Sequence, residues 1–119
     1  MHNLTELKIW NKAIDLSVDV YEATKNFPKE ETYGLTSQIR RSAVFIPSNI
    51  SEGAGRNSNG EFKHFLGIAN GSAYELQSQI IIAKKLNLLS EDSSREILGK
   101  LDELQKMNYS FQNKLTNKI

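Results

Sequence analysis

Four cations lie close together near the middle of this chain: Arg40, Arg41, Arg56 and Lys63. From Thr36 to Gly60 there are three arginines and a single acid, Glu52. An arginine fork can hold a phosphate through two parallel hydrogen bonds, so the chemistry on offer is phosphate recognition. A plainer use competes with it. Glu52 and Arg56 have the four-residue spacing of an ion pair along one helix face, and Arg41 can bridge to Glu52 or to a neighbouring subunit. No aromatic platform for stacking unpaired bases is apparent beside these cations. That directs a nucleic-acid reading toward backbone and shape, not sequence.

Catalytic groupings are scarcer. Glu61-Phe62-Lys63-His64 sets a glutamate and a histidine three residues apart, as di-iron bundles do. Such a centre needs that pair on two helices and a glutamate from each of the other two. The only other histidine is His2, at an end expected to fray. Serines are plentiful, but none stands with a histidine in a recognisable nucleophile motif. The glycine-rich run Gly53 to Gly60 opens a helix and so could seat an anion on free amides. It lacks the lysine, spacing and preceding strand of a phosphate-binding loop, and it reads as a turn. The chain has no cysteine, which excludes disulfides and thiolate metal sites. The expectation is a protein without catalytic activity, metal or cofactor.

These residues must be carried by something small. At 119 residues there is room for one domain spanning 1–119. Fifteen basic against fourteen acidic residues leave a formal charge of +1, so any affinity for nucleic acid has to come from local patches. The start, M-H-N-L-T-E-L-K, has neither the basic nor the apolar region of a secretion signal. No apolar run approaches the ~20 residues of a spanning helix. A soluble, cytoplasmic protein is expected.

Hydrophobic spacing points to an all-α chain. A first helix is expected from about Thr5 to Asn26, presenting Trp10, Ala13, Ile14, Ser17, Tyr21 and Thr24 on one face and stopped by Pro28. A second runs from about Tyr33 to Gly55. Its inner face is Ile39, Ala43, Ile46, Ile50 and Gly53; the other side carries Arg41, Phe45, Ser48, Asn49, Glu52 and Arg56. A solvated face has little use for Phe45. Pro47 has no amide hydrogen for the Ala43 carbonyl, so the helix is expected to kink or restart there, with Ser48 and Asn49 as candidates to satisfy freed backbone groups.

Ser58 and Glu61 form a capping box that opens the third helix, which continues to about Leu86. Its core stripe is Phe62, Phe65, Leu66, Ala69, Ala73, Leu76, Ile80 and Ala83. Ile68, Ile82 and Leu86 form a second apolar line, and Tyr74 with Ile81 a third. Gly67 and Gly71 lie one turn apart beside Tyr74. Glycine costs a helix about 1 kcal/mol relative to alanine, so two of them suggest close backbone approach, either inside the bundle or between subunits. With Phe45, these residues are the candidate oligomer contacts.

Ser90 caps a fourth helix whose first turn holds Glu91 and Asp92 and whose last turns hold Lys106, Lys114 and Lys118. Ile97, Leu101, Leu104, Asn108, Phe111 and Leu115 alternate steps of four and three, a bundle seam. Asn108 either fixes register or reaches water at the bundle end. Short linkers make the expected fold an antiparallel up-down-up-down four-helix bundle, its second helix kinked at Pro47.

Trp10, Phe27-Pro28, Glu31, Tyr33-Gly34-Leu35, Gln38-Ile39-Arg40-Arg41 and Ile46-Pro47-Ser48-Asn49-Ile50 resemble a bacterial four-helix bundle family. Glu52-Gly53, Phe62, Phe65-Leu66, Ala69, Gly71-Ser72 and Glu75-Leu76 carry the same likeness. The family is the 23S rRNA intervening-sequence proteins, and the resemblance covers about Leu7 to Leu115. It implies assembly into a ring of five subunits. It also implies kinship with the accessory variability protein of diversity-generating retroelements, a basic barrel that binds nucleic acid and a reverse transcriptase. The family has a small residue where this chain has Phe45, and those relatives are more basic. A five-fold ring would repeat each arginine into a belt whose phosphate contacts add up. The expected function is therefore a non-catalytic, homo-oligomeric scaffold, with structured RNA or a nucleic-acid enzyme as its candidate partner. The alternative is a ring that binds a protein partner without nucleic acid.

Overall fold

A computed structural model describes residues 2–117 and divides them into four helices: α1 Lys8–Ala23, α2 Leu35–Ala54, α3 Asn59–Lys85 and α4 Glu91–Asn117. Short 3-10 turns at Leu4–Glu6 and Lys29–Glu31 precede α1 and α2. Local chemistry sets most of the ends. The Ser58 hydroxyl oxygen accepts from the Glu61 amide at 3.2 Å, and Ser90 does the same for Ser93 at 3.1 Å. The Glu61 carboxylate completes its box on the Ser58 hydroxyl instead of the amide. Asn87, at φ 60°, closes α3: the Leu88 amide donates to Ala83 O and the Asn87 amide to Lys84 O, a paired C-terminal cap that asparagine tolerates. The expected first helix is shorter at both ends. Leu7 is extended, and the Thr24 hydroxyl turns back to the Val20 carbonyl before Pro28 is reached. Lys118 lies outside the described residues.

Each helix packs on two neighbours, α1 and α3 each lying between α2 and α4. Cross-helix contacts run in opposite senses along each adjacent pair: Ser17 with Ala43 and Thr24 with Arg40, Ser42 with Glu75 and Gly53 with Phe62, Asn108 with Leu66 and Lys84 with Glu91, Lys12 with Glu103 and Asp19 with Lys100. The bundle is therefore antiparallel, up-down-up-down. Lys84 holds the Glu91 carboxyl below its usual value, chiefly by their hydrogen bond. Lys100, bonded to Asp19 and Glu96, is raised above the usual lysine value.

The inner faces of α2 and α3 are those the spacing indicated, except that Phe65 is only half-buried. α1 differs. It buries Ile9, Ala13, Leu16, Ser17, Val20 and Thr24, while Trp10 and Ile14 are half-buried and Tyr21 is 45% exposed. A helix wedged between two neighbours must bury a wide stripe, and its centre lies on Ile9, Leu16 and Val20. Asn108 is 3% exposed and donates to the Leu66 carbonyl at 3.0 Å, so it bonds across the core and does not reach water. His2, expected to fray, stacks edge-on against Phe62 and Phe111 with centroids 4.8 and 6.1 Å away.

α2 passes through Pro47 as one continuous helix. The Asn49 side chain donates to Phe45 O at 2.8 Å, which is not the carbonyl that Pro47 frees. The carbonyl that Pro47 itself deprives, that of Ala43, is served from another helix by Ser17.

Candidate functional site

The end of α1, the linker and the first half of α2 enclose an open groove of about 540 Å³. Its charged lining residues are Lys25, Arg40 and Arg41, with no acid among them. Its aromatic residues are Tyr21, Phe27, Tyr33 and Phe45, of which Tyr33 is 97% and Phe45 41% exposed. Arg40 spans the two helices: its Nε donates to Thr24 Oγ1 at 2.9 Å and Nη2 to the Tyr21 carbonyl at 3.3 Å, with the guanidinium 4.5 Å from the Tyr21 ring centre. Its charge thus sits on the carbonyl end of α1, where a cation is favourable. Arg41 lies 4.9 Å from the centre of the Phe45 ring and forms no ion pair among the described residues.

The other two candidate cations are elsewhere. Arg56 pairs with Glu52 at 3.2 Å and Glu61 at 3.9 Å, and stacks over Phe65 at 4.8 Å. The ion-pair use of Arg56 is the one adopted. Lys63 is half-buried on α3 and unpaired among the described residues. Glu61 is engaged by Arg56 and Ser58, and His64 stacks edge-on to Phe65 at 5.4 Å. Among the described residues, no three of His, Cys, Asp and Glu come together as a metal would require. No helix among them is long and apolar enough to cross a membrane.

Sequence reasoning missed the aromatic side of this groove. Helical spacing alone puts Tyr21 on the core face of the first helix and Tyr33 in the second helix's opening turn. The expectation that no stacking platform accompanies the arginines is corrected by the fold, which turns both tyrosines outward beside them. One signal was present: Tyr21 lies one residue after Val20, the apolar residue that α1 buries in its place.

A second surface follows α3. An added Cβ at Gly67 or Gly71 would meet nothing within 4 Å, so neither glycine serves a close approach inside the bundle. Ile68, Tyr74, Ile81, Ile82 and Leu86 are exposed on the same helix. Gly53 is the opposite case. A Cβ there would lie 2.8 Å from Phe62 Cδ1 and 2.9 Å from Phe65 Cβ, which is what brings α2 and α3 together at this end.

The fold and its surfaces define an all-α four-helix bundle with a cationic groove and an exposed apolar helix face. The chain belongs to the 23S rRNA-intervening sequence protein family, whose model matches residues 5–110. It is similar in fold to a crystal structure, at 1.70 Å, of a protein of unknown function from the S23 ribosomal protein family of Bacteroides thetaiotaomicron. The TM-score is 0.78 at 21% identity, over 87% of this chain and 97% of that one. No curated protein matches it in sequence.

Proposed function

We propose that the chain is a non-catalytic scaffold whose copies assemble through the outer face of α3 into a closed ring that holds structured RNA. The observation that carries this is the line of Gly67, Gly71, Tyr74 and Ile82 along one exposed side of α3, with Ile68, Ile81 and Leu86 flanking it. Two helix glycines that meet nothing in their own bundle are a cost without a return unless a second surface lies against them. Phe45 and its stacked Arg41 add an exposed apolar ring on α2. Five subunits is the number the family resemblance implies. A ring would repeat the Lys25, Arg40 and Arg41 of each groove and give the near-neutral chain a local cationic belt.

Analytical ultracentrifugation tests the assembly. The wild type should sediment as a discrete oligomer, and Gly71→Leu should split or aggregate it, because a branched side chain holds two backbones apart. A wild type that is monomeric at micromolar concentration defeats the proposal. The second reading, a ring that binds a protein and no RNA, is favoured by one observation: Arg56 already has two carboxylates. A titration at about 0.15 M salt separates the readings, since a protein-only ring would bind RNA no better than an unrelated neutral bundle.

A further inference from the structure

We infer that the groove between α1 and α2 is a binding site for unpaired nucleotides, with phosphates on Lys25 and Arg41 and bases on its aromatic rings. The inference rests on the proposed RNA binding and assigns it a place and a mode: single strand, not duplex. Charge comes first. All three charged residues lining the groove are basic, in a chain whose net charge is only +1. An acidic or purely apolar partner segment would explain either the cations or the rings, whereas a nucleotide carries both a phosphate and a flat π-face.

The rings are placed for that use. Tyr33 stands in solvent at 97% exposure with nothing in the bundle to bury it. The Arg40 guanidinium lies 4.5 Å from the Tyr21 ring centre and that of Arg41 4.9 Å from the Phe45 ring centre, so each pair offers π-surface on which unpaired bases can stack. A paired base keeps its faces inside the helix, so such platforms select unpaired ones.

The first turn of α2 adds anion-binding groups at the same place. Glu31 takes the Leu35 amide at 3.1 Å, while the Thr36 and Ser37 amides meet no protein acceptor. Thr36 and Ser37 line the groove, and the buried Thr36 hydroxyl has no partner either. Free amides at the positive end of a 20-residue helix favour a phosphate. Glu31 does not line the groove, but its charge lies at the same helix end and opposes the anion. Glu31→Gln should therefore tighten binding.

The test is fluorescence anisotropy of the intact protein with a labelled single-stranded RNA of about ten nucleotides, compared with the same strand annealed to its complement as a blunt-ended duplex. The single strand should bind more tightly. Tyr33→Ala should weaken it about tenfold, the effect of one lost stacking partner. Arg41→Gln should lower the salt slope by about one, and Arg56→Gln should leave it unchanged. Tyr33 is solvent-exposed, so its variant should melt like the wild type. Equal affinity for the duplex, or an unchanged affinity in Tyr33→Ala, overturns the groove assignment while leaving RNA binding intact. Failure of both RNAs to bind overturns the assignment and the RNA reading together.

Discussion

The Ser17 hydroxyl on α1 lies 3.0 Å from the Ala43 carbonyl on α2, the acceptor that Pro47 leaves without a helical donor. The same hydroxyl is 3.0 Å from its own Ala13 carbonyl, so one proton serves two buried acceptors. A proline inside a helix costs about 3 kcal/mol, part of it the lost hydrogen bond. Here a neighbouring helix replaces that bond, and the defect in α2 becomes a contact with α1.

Ser17→Ala should destabilise the protein by about 1–3 kcal/mol, because it strands a buried carbonyl. Pro47→Ala restores an amide to that carbonyl, so in its background the cost of Ser17→Ala should fall well below that value. Urea unfolding of the two single variants, the double variant and the wild type measures the coupling. Strict additivity would show that the two residues act independently.

The glycines should divide by what surrounds them. Gly53→Ala should cost about 1–3 kcal/mol, since its Cβ would press on the Phe62 ring and the Phe65 Cβ. Gly99, on α4, faces open space, and Gly99→Ala should add roughly 0.5–1 kcal/mol of stability. Gly67→Ala and Gly71→Ala should also stabilise the single subunit yet loosen the oligomer, which Gly99→Ala should not do. Thermal melts and sedimentation velocity, run on the same four variants, check both halves.

Acid should release one clasp between α3 and α4. Glu91 is held below its ordinary value of 4.5 by the hydrogen bond and then the charge of Lys84, with Arg95 adding to it. A carboxyl whose pKa is lower in the folded chain contributes stability above its unfolded value, and that contribution is lost as the pH falls through the folded value. Lys84→Met should therefore melt slightly below the wild type at neutral pH and converge with it as the pH drops under 4.5. The pair is exposed, so the difference should be small and should shrink in high salt. A gap that stays constant on acidification would assign the effect to packing instead.

Much of the bundle is legible one helix at a time. Ser58 and Ser90 mark helix starts because a hydroxyl can serve an orphan amide wherever the chain turns helical, whatever the helix later packs on. Ile39, Ala43, Ile46 and Ile50 share a face for the same reason: helical pitch alone aligns them. Gly67 and Gly71 could be recognised as a smooth strip, but not as an open one.

Sequence alone was enough for the four helices, the serine caps of α3 and α4, the inner stripes of α2 and α3, and the family. Tertiary structure alone decided which way α1 turns, because its wide apolar surface allowed several centres and only contact with both α2 and α4 selects one. That rotation sends Tyr21 outward to meet Arg40. Long-range contact also settled the polar residues. Arg40 finds Thr24, Asn108 finds the Leu66 carbonyl and Ser17 finds that of Ala43, each on a different helix. Periodicity states which residues share a face; it carries no information about what the facing helix offers at the same height, and that pairing makes the groove.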